Sequence, residues 1–159
     1  MASVLFFVYL INNFMASQKK FYTLPLRADE IINKRQHNSC SLVESIAQNL
    51  HLIISTYRGE SSYAEEYGCS IWDEEFKTQL SIRWKEDVRQ SVLATIEKFE
   101  PRLLVKDVKV DLTEQEFRPD KNSLRVRRKL VLGITGSIKK TNEKFSFQKS
   151  LYISPLSQV

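Results

Sequence analysis

Apolar residues at Leu42, Val43, Ile46, Leu50, Ile53 and Ile54 recur at steps of three and four, the interval at which one face of an α-helix returns. Ser41-Leu42-Val43-Glu44 opens this stretch and has the form of a capping box. The serine hydroxyl accepts from the third amide while the glutamate reaches back to the serine amide. Gly59 is expected to close the element, because glycine tolerates the left-handed turn that ends helices. A second stripe, Trp84, Val88, Val92, Ile96 and Phe99 with Leu93 widening it, predicts a helix over residues 84–99. Glu86 and Asp87 would then face the positive end of its dipole. Pro101 sets the stop: it has no amide hydrogen and disfavours α geometry in the residue before it.

Beyond the proline the period changes to two. Val108, Val110 and Leu112 alternate with Lys109, Asp111 and Thr113, which predicts a strand over residues 104–117. Arg118-Pro119-Asp120-Lys121-Asn122 has turn chemistry. Over residues 123–138, Leu124, Val126, Leu130, Leu132 and Ile134 share one face, while Arg125, Arg127 and Lys129 share the other. Arg128 is an exception on the apolar side. After a polar turn at 139–143, residues 144–153 align Phe145, Phe147, Leu151 and Ile153. The fold class is therefore α+β, with two main helices packed on a three-stranded antiparallel C-terminal sheet.

The remaining stretches are less regular. Residues 41–155 read as a single domain, preceded by an extended arm at 21–40 whose Pro25 argues against a central strand. A helical turn is expected at 28–33. Val4–Ile11 is an apolar run, too short to span a membrane as a helix, which takes roughly 20 residues. No basic residue precedes it, as a signal peptide would require. Residues 1–20 therefore read as a disordered extension or a start set too far upstream, with a membrane anchor as the lesser reading. Between Arg58 and Lys77 there is no Lys or Arg, only Glu60, Glu65, Glu66, Asp73, Glu74 and Glu75. Two readings fit this segment. It is a solvated acidic loop pinned by Ile71 and Trp72, or an acidic, aromatic docking loop presenting Tyr67 and Trp72 to a partner.

Charge sharpens this picture. The net charge is +5, but residues 1–99 carry 11 Lys/Arg against 12 Asp/Glu, whereas residues 100–159 carry 13 against 7. The excess sits in the strands, and Arg125, Arg127 and Lys129 form a face suited to an acidic protein. They lack the aromatic neighbours on their own strand that nucleic-acid sites use for stacking, so no nucleic acid is expected. Two cysteines, Cys40 and Cys69, make no disulfide framework and suit a reducing cytoplasm. His37-x-x-Cys40 is a feasible ligand pair, but no second close pair completes a zinc pattern. No nucleophile elbow or phosphate loop is present. Glycoside hydrolysis would need two carboxylates about 5–10 Å apart in a cleft, and no such pair is legible. The expectation is a chain without catalytic residues, metal or cofactor.

The order of these motifs resembles a known family. Leu50-His51-Leu52-Ile53-Ile54-Ser55-Thr56-Tyr57-Arg58-Gly59-Glu60, then Glu66-Tyr67-Gly68-Cys69, then Glu100-Pro101-Arg102-Leu103 before a Val-x-Val strand, are similar to segments of the gene-25-like baseplate family. That family includes wedge proteins of contractile phage tails and TssE of the type VI secretion system, and it carries an older lysozyme-like label. The resemblance covers residues 41–153. It implies a cytoplasmic structural subunit at the inner face of the membrane, without direct membrane insertion and monomeric in isolation. Its partners would be the wedge proteins TssF and TssG and the sheath proteins TssB and TssC, with sheath polymerisation starting from it. A phage-tail wedge protein or a muramidase are the alternatives. Cys69-Ser70-Ile71-Trp72 departs from the commoner loop of the family and leans towards a secretion system. Under this resemblance Glu100, Pro101, Arg102 and Leu103 become the docking point for the wedge, and the strands that follow are reserved for the sheath; the alternative is that Glu100 and Arg102 only brace the helix against the sheet.

Overall fold

Each apolar stripe becomes a helix and each alternating stretch a strand. The computed structural model describes residues 20–33, 35–74, 82–120 and 123–153. In chain order these form β1 (Phe21–Tyr22), α1 (Ala28–Ile32), β2 (Ser39–Cys40), α2 (Leu42–Ser55), a 3-10 turn (Ser70–Glu74), α3 (Ile82–Phe99), β3 (Leu103–Asp120), β4 (Ser123–Ile138) and β5 (Lys144–Ile153). The contacts divide the chain into two units, Met1–Ser45 and Ile46–Val159.

In the first unit, β1 and β2 pair antiparallel, Phe21 with Cys40 and Tyr22 with Ser39. Helix α1 is held by an Arg27–Glu30 ion pair at 2.8 Å. The capping box forms as read: Glu44 N donates to Ser41 Oγ at 3.2 Å and Ser41 N donates to Glu44 Oε2 at 2.8 Å. Those bonds hold the Glu44 carboxyl below its usual range, the backbone bond from Ser41 first and its hydroxyl second.

The second unit contains the sheet, in the order β3-β4-β5, antiparallel throughout. Ile46, Leu50, Ile53 and Ile54 of α2, Val92 and Ile96 of α3, and Leu130, Leu132 and Ile134 of β4 have no exposed surface. Each such side chain contributes about 1.5–3 kcal/mol of burial free energy. Arg128 explains itself by its register. It lies directly opposite Glu114, and its Nε donates to Glu114 Oε1 at 3.2 Å, so the charge in the apolar row is matched across the strand pair.

Four boundaries differ from the periodic reading, one of them the end of β3, which runs to Asp120 through the Arg118-Pro119-Asp120 segment read as a turn. α3 starts at Ile82, two residues early, so Glu86 and Asp87 fall outside its first turn. Glu86 instead accepts from Arg89 and Gln90, and those bonds hold its carboxyl down to about 2. α2 ends at Ser55. Gly59, at φ 90°, serves a separate turn in which its amide donates to Glu65 O at 2.8 Å. β3 starts at Leu103 and includes a bulge between Val105 and Asp107. Opposite that bulge lies Gly136, where a Cβ would come within 2.3 Å of Leu104 O.

Candidate functional site: the helix-to-strand junction

Helix α3 ends against proline, and the residue that ends it is the most deeply placed carboxylate among the described residues. Glu100 has 0% exposure. A bare carboxylate there would be costly, so its partners define the site. Arg102 Nε donates to Glu100 Oε1 at 2.6 Å, and the terminal Arg102 nitrogen donates to Oε2 at 2.5 Å. This two-pronged pairing matches guanidinium to carboxylate geometry. Pro101 and Arg102 form a turn that Leu103 N closes by donating to Glu100 O at 3.1 Å, and proline's fixed φ suits the first turn position.

A second element completes the carboxylate's shell. Asn49 Nδ2, from α2, donates to Glu100 Oε2 at 3.0 Å and to Phe99 O at 3.1 Å. The same amide thus serves the carboxylate and an end-of-helix carbonyl, a group left without an intrahelical partner. Asn49 Oδ1 in turn accepts from the Tyr67 hydroxyl at 3.1 Å. The Tyr67 ring meets Phe99 edge-on, with centroids 5.1 Å apart. Burial pushes the Tyr67 phenol above its usual range, and the Glu100 charge adds to that. Tyr67, Asn49, Glu100 and Arg102 are therefore one connected network drawn from a loop, a helix and a junction.

The loop that carries Tyr67 is held by its own backbone. Gly68 has φ 105°, and a Cβ there would lie 2.6 Å from Thr56 O. Only glycine fits such a position without strain. Gly68 O accepts from Thr95 Oγ1 at 2.9 Å, and Cys69 forms an isolated parallel bridge with Tyr57. Ile71 is fully buried and Trp72 half-buried in the 3-10 turn. Trp72 Nε1 has no hydrogen-bond partner among the described residues. Glu66 pairs with Lys98, whose ammonium lies 5.5 Å from the Phe99 ring centre, so part of the acidic loop's charge is met by α3.

The sequence-derived residues thus separate into groups. Tyr67, Glu100 and Arg102 meet in one network, with Leu103 buried directly after it and Pro101 exposed. Arg102 keeps 33% of its side chain exposed and accepts Lys139 N on its own carbonyl at 2.9 Å. Trp72 belongs to the 3-10 turn and bonds to none of these residues in the described contacts. Lys129 lies on the opposite face of β4 from the core row, paired across the strands with Thr113 and Tyr152. That is an aromatic neighbour the single-strand reading did not count. Arg125 and Arg127 stand on β4, and their side chains lie outside the described residues. Asn49 was missed. Its signal was a polar residue flanking the stripe of α2, three after Ile46 and four before Ile53.

The other chemistry-bearing residues gather less. His37 Nε2 bonds to Thr23 O at 2.8 Å, and its Nδ1 lies 3.8 Å from Glu30 Oε2. Cys40 is half-buried, and Cys69 is buried with its thiol donating to Ile54 O at 3.5 Å. Among the described residues no three His, Cys, Asp or Glu side chains gather as a metal site would require, and no helix is long and apolar enough to cross a membrane.

The family model described as baseplate wedge protein gp25 matches residues 40–143. Among solved structures the chain is similar to a protein from Geobacter sulfurreducens carrying the provisional name of tail lysozyme. The two share 20% identity over 77% of this chain and 100% of that one, with a TM-score of 0.59. It is also similar to a chain of the anti-feeding prophage baseplate, at 22% identity over 72% of this chain and 86% of that one, with a TM-score of 0.47. No curated protein sequence matches.

Proposed function

The chain belongs to the baseplate wedge protein gp25 family, and from that premise we propose that it is a non-enzymatic structural subunit of a contractile injection machine of the type VI secretion class. In this reading it links the wedge proteins TssF and TssG to the first ring of the TssB–TssC sheath and seeds sheath polymerisation. It is a monomer before assembly and is repeated around a ring within it, on the cytoplasmic side of the inner membrane.

The closed network at the junction carries the proposal. A catalytic carboxylate must reach its substrate and exchange a proton with it. Glu100 has no exposed surface, and its two oxygens are taken by Arg102 and Asn49. The same arrangement suits docking. Glu100 fixes one side of the Arg102 guanidinium, so the exposed remainder is already oriented and less freedom is lost on binding. β5 is an edge of the sheet, and its ladder with β4 runs without a bulge. An edge of that kind offers unpaired backbone groups to an added strand.

Co-expression of the tagged chain with TssF and TssG, followed by affinity capture, tests the reading. Wild type brings down both wedge proteins. Arg102→Lys keeps the cation and the circular-dichroism spectrum but loses the planar fork, and it captures less of them. Failure of wild type to capture either protein, together with turnover of purified peptidoglycan, would replace the proposal with an enzymatic one.

A further inference from the structure

The turn between β4 and β5 stands beside the junction and holds charge that nothing described so far uses. It is closed by two backbone bonds: Asn142 N donates to Ile138 O at 2.7 Å and Ile138 N donates to Glu143 O at 3.0 Å. Asn142 supplies the left-handed residue, with φ 56°, a conformation asparagine tolerates better than most residues. Lys139 N is tied to Arg102 O at 2.9 Å. The turn is therefore a fixed platform attached to the junction.

On this platform Lys139 and Lys140 are exposed, and Lys144 is exposed at the start of β5. Among the described residues none of the three has an ion-pair partner. Glu143, the carboxylate of the turn, accepts from Thr141 Oγ1 at 2.9 Å. Next to the lysines the sheet presents an apolar residue outward. Leu104 pairs with Ser137, and Ser137 pairs with Lys144, so the three form one row across the sheet. The small serine beside it leaves Leu104 55% exposed. A single exposed leucine is ordinary. One in the same cross-strand row as Lys144, at the end of the sheet where a turn carrying Lys139 and Lys140 is tied to Arg102, is a matched pair of features.

We propose that the β4–β5 turn, with Leu104 and Arg102, is a docking surface for an acidic protein segment bearing an aliphatic side chain. The lysines meet its carboxylates and Leu104 meets its apolar residue. The patch contains no aromatic side chain on which a base would stack, which favours protein over nucleic acid. Cations carried on a fixed turn attract an acidic partner over about one Debye length, roughly 8 Å at physiological salt, and raise its encounter rate. This surface lies at the opposite end of the sheet from Lys129 and its neighbour Tyr152. That the segment belongs to a baseplate neighbour rests on the function proposed above.

The experiment titrates the isotope-labelled full chain with a synthetic Glu/Leu peptide, an all-Glu peptide of the same length, and single-stranded DNA of the same charge. Amide shifts from the Glu/Leu peptide fall on residues 102–104 and 137–144. Combined Lys139→Glu, Lys140→Glu and Lys144→Glu weakens this peptide by about tenfold or more at low salt. Leu104→Ser weakens the Glu/Leu peptide about fivefold and leaves the all-Glu peptide unchanged. Lys140→Glu alone, at the exposed tip, provides the reading should the triple variant unfold. Shifts centred on the Lys129 end, indifference to Leu104→Ser, or DNA binding as tight as the peptide would each overturn the proposal. The titration uses no baseplate protein, so its failure removes this surface alone, whereas failed wedge capture removes the functional reading.

Discussion

The Glu100–Arg102 pair lends itself to a double-mutant cycle, because the two side chains differ so much in burial. Arg102→Met leaves a carboxylate with 0% exposure, opposed by the Asn49 amide and the backbone amide of residue 102 but by no charge. Breaking a buried pair in this way costs about 3–5 kcal/mol. Glu100→Gln keeps the volume and one acceptor, and Arg102 retains water through its 33% exposed surface. The loss is then the charge assistance of two hydrogen bonds, about 2–3 kcal/mol after that discount. The double variant Glu100→Gln/Arg102→Met has no charge left to strand and loses about 2 kcal/mol. The coupling energy is therefore at least about 3 kcal/mol, well outside the additivity of independent sites. Urea unfolding followed by tryptophan fluorescence at neutral pH measures all four corners, provided the m-values agree. In heat, Arg102→Met lowers the midpoint by about 10 °C, on the scale of a few degrees per kcal/mol for a chain of this size. Additive energies, or a cost below about 1 kcal/mol for Arg102→Met, would refute the idea that the pair holds the junction closed.

Two further outcomes follow from local geometry. Gly136→Ala places a methyl within 2.3 Å of Leu104 O, and Gly68→Ala places one 2.6 Å from Thr56 O in a backbone at φ 105°. Both should lose about 2 kcal/mol or more in the same urea assay, and Gly68→Ala should also change the environment of Trp72. Glu86 is held down to about 2 by Arg89 and Gln90. A carboxyl whose folded pKa is depressed adds stability above its unfolded value of 4.5, and that part is lost as pH falls from 4.5 towards 2. Glu86→Gln should therefore show a flatter acid limb between those values than wild type, with the two curves meeting at the acid end.

Much of this fold was legible because its signal is periodic. Ser123–Ile138 and Lys144–Ile153 are read from alternation to the residue, and the Ser41–Glu44 cap from two side chains three apart. The start of α3 slips all the same: Ser81 is a residue type that favours the N-cap, but the apolar stripe that places the helix begins only at Trp84. The bulge at Val105/Asp107 was hidden for another reason. It requires a glycine on the partner strand, and Gly136 sits 31 residues away from Val105 in sequence. The site divides the same way. Glu100 and Arg102 are joined by two-residue spacing around a proline and stood out at once. That Glu100 would be the buried member could not be read from that spacing, since it depends on Asn49, 51 positions earlier. By sequence Tyr67 belongs to an acidic loop that is either solvated or turned to a partner. In the fold its hydroxyl turns inward to Asn49, which a linear reading has no means to see.

That shared amide also constrains how the chain can change over generations. Asn49 gives its donor to Glu100 and its acceptor to Tyr67, so each position limits what the next will tolerate. Aspartate at 49 would set a second carboxylate against the first; phenylalanine at 67 would leave the Asn49 oxygen unmet; a neutral residue at 100 would release Arg102. Substitutions at positions 49, 67, 100 and 102 should therefore appear together in related chains rather than one at a time, and a lineage that alters one should carry a compensating change at its neighbour.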